Sequence, residues 1–277
     1  MDIGGAWPIL FPADPAPGPM RSLIAAGPPL LEKLRRVEEA EENLPEHVTI
    51  SLEGLDLLPP LPDPPKIIGV THNYGDFLSR AGMEPPTAPR LFAKLENTVI
   101  GPGTPIVLPT LSRQVSYEAE VAVILGKRGK NIPEADAFSY VFGYTIINDV
   151  SAMDIVKGDG NLFRGKNFDT FFPMGPFIAT KDEIPDPHTL RITLSIDGRT
   201  LQDSSSAHMV KRIPELISYI SGEMTLQSGD MIATGTPAGT SLMHDPPTFL
   251  TPGCEVTIHI DGLGCLSNPV VAATQGV

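Results

Sequence analysis

The run Tyr117-Glu118-Ala119-Glu120-Val121-Ala122-Val123-Ile124-Leu125 does most to limit what this chain can become. Its alternation reads as a buried β-strand, and residues two apart on a strand share a face, with Cα atoms about 6.5–7 Å apart. Tyr117, Ala119, Val121, Val123 and Leu125 make one face apolar throughout. The other face begins with two carboxylates, Glu118 and Glu120, side by side. Like charges on a core strand repel and lose hydration unless a cation joins them. Two readings stand: a metal-binding pair, or a strand whose first residues emerge into solvent.

Such a strand needs a sheet, and 30 prolines and 26 glycines in 277 residues favour a loop-rich, sheet-dominated fold over a helical bundle. The chain is long enough to bury one large domain with a smaller appendage. A net charge of −13 argues against nucleic acid and anionic membrane surfaces, which need a concentrated basic patch that the sequence lacks. No apolar run reaches spanning length. The first nine residues lack the basic and then apolar order of a signal peptide. The only cysteines, Cys254 and Cys265, fit a reducing compartment, so a cytoplasmic location is expected.

The expected division falls at the proline-dense linker Leu58-Pro59-Pro60-Leu61-Pro62-Asp63-Pro64-Pro65, giving a small N-terminal region at 1–64 and a main domain at 65–277. The first part holds one helical pattern, Met20 to Glu42, which Pro28-Pro29 must break or restart. Strand-like segments follow at 66–71, 105–108, 117–125, 141–148, 176–180, 190–196, 230–234 and 254–260. Helical segments are expected at 133–138, 151–157 and 210–222. The fold class is therefore mainly β with α (α+β), and the irregular spacing of strands suits a mixed β-roll with inserted loops. Asp261-Gly262 predicts a tight hairpin turn.

Asp149 closes the strand-like run 141–149, and Ser151 with Asp154 has the form of a capping box opening the next helix. A third carboxylate there completes a site with Glu118 and Glu120, or else caps a turn. An all-oxygen triad suits a hard cation, so Mg²⁺ or Mn²⁺ is expected, with Ca²⁺ as the alternative and Zn²⁺ disfavoured. The loop Gly235-Thr236-Pro237-Ala238-Gly239 offers backbone N–H groups and a hydroxyl to an anionic ligand, yet it is neither a phosphate loop nor a nucleophile elbow. Lys94 and Lys166 sit among apolar or small neighbours, where a lysine can neutralise a substrate carboxylate or lie along apolar ground. His72 follows a strand directly and is the one histidine placed for proton transfer.

Together these segments resemble the fumarylacetoacetate hydrolase superfamily from about Lys66 to Val271. The motifs that carry the likeness are Gly69-x-x-x-Asn73-Tyr74-x-Asp76, Glu118-x-Glu120, Asn148-Asp149-Val150-Ser151-Ala152-x-Asp154, Lys166-x-Phe168-Asp169-Thr170, Thr234-Gly235-Thr236-Pro237-x-Gly239 and Gly262-x-Gly264-x-Leu266-x-Asn268-Pro269-Val270. The resemblance implies a mixed β-sandwich roll, commonly a homodimer, with Mg²⁺ or Mn²⁺ on Glu118, Glu120 and Asp149. It implies a 2-oxo or β-diketo acid substrate chelated through adjacent oxygens. It also makes Asn73, Tyr74, Lys94, Lys166, Gly235 and Thr236 candidate substrate-binding residues.

One departure bears on the reaction. Hydrolytic members commonly carry a histidine directly after the Asn-Tyr-x-Asp motif and an acid one helical turn later, and this dyad activates water. Here those positions hold Phe77 and Arg80, neither of which serves as a base at neutral pH. Met153 and Val156 likewise replace an arginine and a glutamine. Carbon–carbon bond hydrolysis is the default expectation, with decarboxylation, keto–enol tautomerisation or isomerisation as the alternative. A non-catalytic, ligand-binding role is the further rival. His72, Asp76 and Lys166 are the candidate catalytic residues.

Overall fold

A computed structural model describes residues 3–51 and 54–274. The chain divides into two compact units, Met1–Asp56 and Leu57–Val277. In the smaller unit, helices α1 (Ile3–Leu10), α2 (Met20–Ala26) and α3 (Pro28–Glu39) follow one another. Gly27, at φ 65°, separates α2 from α3, and Pro28 and Pro29 occupy the first turn of α3, where a missing N–H costs nothing. The two prolines therefore start a helix. Trp7, Phe11, Val37 and Val48 form this unit's buried cluster, with Leu30 and Leu34 packed against it.

The proline-dense segment belongs to the larger unit, where Leu61 is buried. Gly101 lies beneath it, since a Cβ on residue 101 would stand 2.5 Å from the Leu57 carbonyl oxygen. The described strands of this unit are β1 (Ile67–Thr71), β2 (Arg90–Lys94), β3 (Val99–Ile100), β4 (Ile106–Leu108), β5 (Val115–Ser116), β6 (Ala119–Leu125) and β7 (Val141–Asn148). After them come β8 (Ser151–Ala152), β9 (Phe172–Thr180), β10 (Arg191–Ile196), β11 (Arg199–Ser205), β12 (Met231–Ala233), β13 (Glu255–Ile260) and β14 (Gly264–Ala272). Helices α4 (Gly75–Ala81), α5 (Met153–Asp159) and α6 (Ile213–Glu223) interrupt them.

Two large sheets result, one ordered β2-β1-β12-β6-β7-β9-β3 and the other β11-β10-β13-β14-β4, while β5 and β8 pair as a separate two-stranded sheet. The two large sheets pack face to face, and one continuous apolar cluster, from Val121 and Ile146 to Leu194, Ile258 and Leu266, fills the space between them. This is the mixed roll expected from the strand pattern. Strands β6 and β7 are buried at every position, because they lie mid-sheet with elements on both faces.

Several local expectations are corrected. The segment expected as helix at 133–138 is a 3₁₀ turn, Glu134–Tyr140. Ser151 lies in β8, and α5 begins only at Met153, with Ala152 at its N-cap making no side-chain cap bond. The Asp154 carboxylate is instead held by the Ser112 hydroxyl and by the Arg113 and Ile155 amides. Strand β9 starts four residues before the expected 176, because Pro173, Gly175 and Pro176 disguise it as a turn. Helix α4 and strands β2, β3, β5, β11 and β14 lie outside the expected segments.

Helix α6 starts on a histidine. The Ile213 amide donates to His188 Nε2 at 3.2 Å, which requires the neutral ring. Burial and the nearby Arg212 charge hold the His188 pKa below its ordinary 6.5, against the pull of Asp186. A depressed histidine means the unfolded chain binds the extra proton first, so its contribution to stability is present above about pH 6.5 and is lost as pH falls below it. His188→Gln keeps an acceptor that does not titrate. The variant's melting temperature is expected to fall less than the wild type's between about pH 7 and pH 5. Equal slopes would reject this role.

Candidate active site

The termini of the neighbouring strands β1, β12, β6 and β7 gather at one end of the seven-stranded sheet. Antiparallel pairing sets Ala119 opposite Asn148, and one step further the Asp149 amide donates to the Glu118 carbonyl at 2.9 Å. Glu118 and Asp149 are thus cross-strand neighbours. On the other side, β12 pairs with β6 so that Thr234 donates to Val121, and the Gly235 amide reaches the Glu120 carboxylate at 2.7 Å. Gly235 adopts φ 96°, and a Cβ there would come within 3.0 Å of the Val70 carbonyl oxygen. Only glycine lets that amide turn toward the carboxylate.

The outcome is a triad in which one oxygen each of Glu118, Glu120 and Asp149 lies within 4.8 Å of the others. Glu120 is 2% exposed and Asp149 is fully buried. The reading as a solvated strand end therefore fails for Glu120, while the Glu118 side chain keeps 18% of its surface exposed.

Two lysines answer this charge from opposite sides. Lys166 Nζ stands 2.5 Å from Asp149 and 2.9 Å from Glu118, and it lies over the Phe92 ring at 4.8 Å. Lys94 Nζ bonds the other Asp149 oxygen at 2.7 Å and the carbonyls of Val150 and Phe171. Three carboxyl groups face two ammonium groups, so ionising all three leaves a net negative centre. Burial, then the charges of Asp149 and Glu118, push the Glu120 carboxyl well above the ordinary carboxylate range. Burial alone would raise Asp149, but Lys166 and Lys94 outweigh it and hold its carboxyl low. Burial draws Lys94 down to about 8 despite Asp149.

A buried cluster of hard oxygen donors with one uncompensated charge fits a divalent cation. Among the described residues it is the single such group of His, Cys, Asp and Glu side chains.

Beside the triad is a small cavity of about 20 Å³, lined by Val70, Thr71, His72, Phe77, Phe92, Glu118, Glu120 and Thr236. His72 is therefore brought to the carboxylates. Its backbone takes φ 59°, a left-handed conformation uncommon outside glycine, and its Nδ1 is buried without a protein partner. Burial, Arg90 and Lys166 all lower its pKa, so the ring is neutral at physiological pH. Thr236 also faces the cavity, and its hydroxyl donates to the Ala119 carbonyl while accepting from Gln202 Nε2.

Other candidates stand elsewhere. Asp76 accepts from the Ser204 hydroxyl at 2.6 Å and from the Phe77 and Ala238 amides, so its carboxylate fastens the start of α4 to β11 and the Gly235–Gly239 loop. Asn73 spends its amide on Lys211 and Thr234. Tyr74 is fully buried. The Lys94 side chain is fully buried behind Asp149, outside the lining of the cavity.

Two contributors had no sequence signal strong enough to find them. Gln202 is fully buried, takes the Ala119 amide on Oε1 and gives Nε2 to Thr236 and Pro237, thereby fixing that loop. Phe92 occupies the space above Gly69, where a Cβ would lie 2.0 Å from its ring.

The family model for the fumarylacetoacetate (FAA) hydrolase C-terminal region matches residues 66–271. The chain is 39% identical over 261 residues to the mitochondrial oxaloacetate tautomerase fahd2 of Xenopus laevis, covering 93% of this chain and 80% of that protein. It is 38% identical to the oxaloacetate tautomerase YisK of Bacillus subtilis, covering 98% of this chain and 92% of that one. Among solved structures, the 5-carboxymethyl-2-hydroxymuconate delta-isomerase of Mycobacterium smegmatis aligns with a TM-score of 0.72 at 36% identity, covering 81% of this chain and 83% of that one.

Proposed function

The chain belongs to the fumarylacetoacetate hydrolase family, and from that membership we propose that it is a divalent-metal-dependent tautomerase or isomerase of a 2-oxo acid. The observation that carries this reading is the inventory of the cavity. Beyond the triad its lining offers one titratable side chain, His72, and the α4 helix contributes Phe77. Hydrolysis needs a base held for water as well as a group for the leaving carbon. Relocating a proton needs one base and a means of holding negative charge.

Glu118, Glu120 and Asp149 would hold Mg²⁺ or Mn²⁺. When bound, the ion supplies Lewis-acid polarisation of the substrate's adjacent oxygens. In the enol-to-keto direction the neutral ring of His72 takes the enol hydroxyl proton and delivers a proton to C3, ending neutral again. The C3–H bond forms as the enol O–H bond breaks, with no net oxidation. In the reverse direction the ring takes the C3 proton and delivers it to the C2 oxygen. The Lys166 ammonium lowers the cost of charge on the oxygens beside Asp149 and Glu118. Phe77 and Phe92 keep the cavity narrow and exclude bulk water. The 38–39% identity to two oxaloacetate tautomerases favours oxaloacetate as the substrate.

The test is to follow loss of the oxaloacetate enol by ultraviolet absorbance with Mg²⁺ or Mn²⁺, alongside pyruvate release and acylpyruvate cleavage. Catalysed enol loss that outpaces both other reactions is expected. Acylpyruvate cleavage without tautomerisation would overturn the proposal. His72→Gln is expected to lower tautomerisation about 10²-fold while leaving the metal-induced rise in melting temperature in place. An unchanged turnover number would remove His72 from the proton path.

A further inference from the structure

The cavity at the triad, about 20 Å³, has room for little more than a water-sized group. A 2-oxo acid that meets the triad must therefore extend beyond this cavity. One exit is marked by residues that line two spaces at once. Phe77 and Glu118 also border a groove of about 490 Å³. Its walls include the apolar side chains of Met153, Leu242 and Met243, and α4 contributes Arg80.

Arg80 is exposed and donates one bond, at 2.8 Å, to the Met243 carbonyl. An arginine carries five N–H donors, so most of its fork remains for another acceptor. Among the described residues Arg80 takes part in no ion pair, although Asp245 borders the same groove. The surrounding protein is strongly acidic, at net −13, which leaves Arg80 as the groove's permanent cation. A short apolar passage that opens from the reacting site and ends at an open guanidinium fits a short chain ending in a carboxylate.

We propose that Arg80 is a specificity-determining residue that binds the distal carboxylate of a dicarboxylic 2-oxo acid, whose chain runs past Phe77 into this groove. This rests on the tautomerase or isomerase reading only for the identity of the head group. The replacement of an acid by arginine on α4 then has a cause. The position that would otherwise help activate water instead holds the far end of the substrate.

The experiment compares binding and turnover in the full chain with Mg²⁺. Binding is measured by calorimetry for (S)-malate and 2-hydroxybutanoate, unreactive acids of equal chain length that differ in the distal carboxylate. Turnover is measured as C3 deuterium exchange of oxaloacetate and 2-oxobutanoate by NMR. The wild type is expected to prefer the dicarboxylate of each pair. In Arg80→Met the preference should fall about ten- to hundredfold, the range of a charged hydrogen bond, and Arg80→Lys should recover part of it. If Arg80 only tethers α4 to Met243, both members of each pair weaken together and the preference is unchanged, which overturns the proposal. A wild type that binds malate through Arg80 but exchanges neither 2-oxo acid would leave this subsite standing and refute the tautomerase reading.

Discussion

Asp149→Ala is expected to cost about 3–5 kcal/mol of folding stability and to lower turnover by about 10³-fold or more. The stability figure follows from what the carboxylate compensates. Asp149 is fully buried and gives one oxygen to Lys94 and the other to Lys166. Removing it strands the Lys94 ammonium, whose side chain is wholly excluded from water and retains only the Val150 and Phe171 carbonyls. An isolated buried charge is far more costly than a missing hydrogen bond. Adding Lys94→Met removes the stranded charge, so the double variant should be less destabilised than the sum of the singles. Urea unfolding measures each term. An Asp149→Ala loss under about 1 kcal/mol, or strict additivity with Lys94→Met, would show that the two groups are not coupled.

How much of this was readable from the chain depends on the range of the interaction involved. The carboxylate triad was legible because its members announce themselves locally, as two acids spaced for one face of an otherwise apolar strand and an acid closing the next strand. The sheet-dominated fold followed from short apolar runs between turns. The role of Lys94 was not legible. A lysine in Leu91-Phe92-Ala93-Lys94 reads as a candidate ligand for substrate, and only the approach of β2 to the Val150 and Phe171 carbonyls shows that it lies behind Asp149. Asp76 is similar, because its partners Ser204 and Ala238 are more than 120 residues away. Gln202 carries no local signal, since β11, with Thr200, Asp203 and Ser204, lacks the apolar alternation that marks a strand. The proline-rich start of β9 was hidden for the reason that makes it unusual among strands. Motifs carried by neighbours in sequence could be read; those completed by packing could not.

Glu120→Gln should separate binding of the cation from support of the fold, and its effect on stability should run opposite to that of Asp149→Ala. Glu120 has no lysine partner within ion-pairing distance among the described residues, and its carboxylate accepts a hydrogen bond from the Gly235 amide. Glutamine fills the same space and can still accept that bond through its carbonyl oxygen. What it removes is charge. Burial, then Asp149 and Glu118, hold the Glu120 carboxyl well above its ordinary 4.5, so the folded chain keeps a proton that the unfolded chain has already released. The sign follows: metal-free wild type loses stability as pH rises from about 4.5 toward the raised folded value, and Glu120→Gln is spared its share of that loss. At neutral pH without metal, the variant should therefore be at least as stable as the wild type. With Mg²⁺ or Mn²⁺ the order reverses. The wild type should gain about 2.7 kcal/mol at a metal concentration 100 times Kd, seen as a rise in melting temperature, and the variant should gain little. Turnover in the variant should fall about 10³-fold if, as proposed, the triad holds the ion that polarises the substrate. A metal-free Glu120→Gln protein as unstable as Asp149→Ala, or one that keeps the full metal-induced shift, would mean that the triad is a structural ion network and not a cation site.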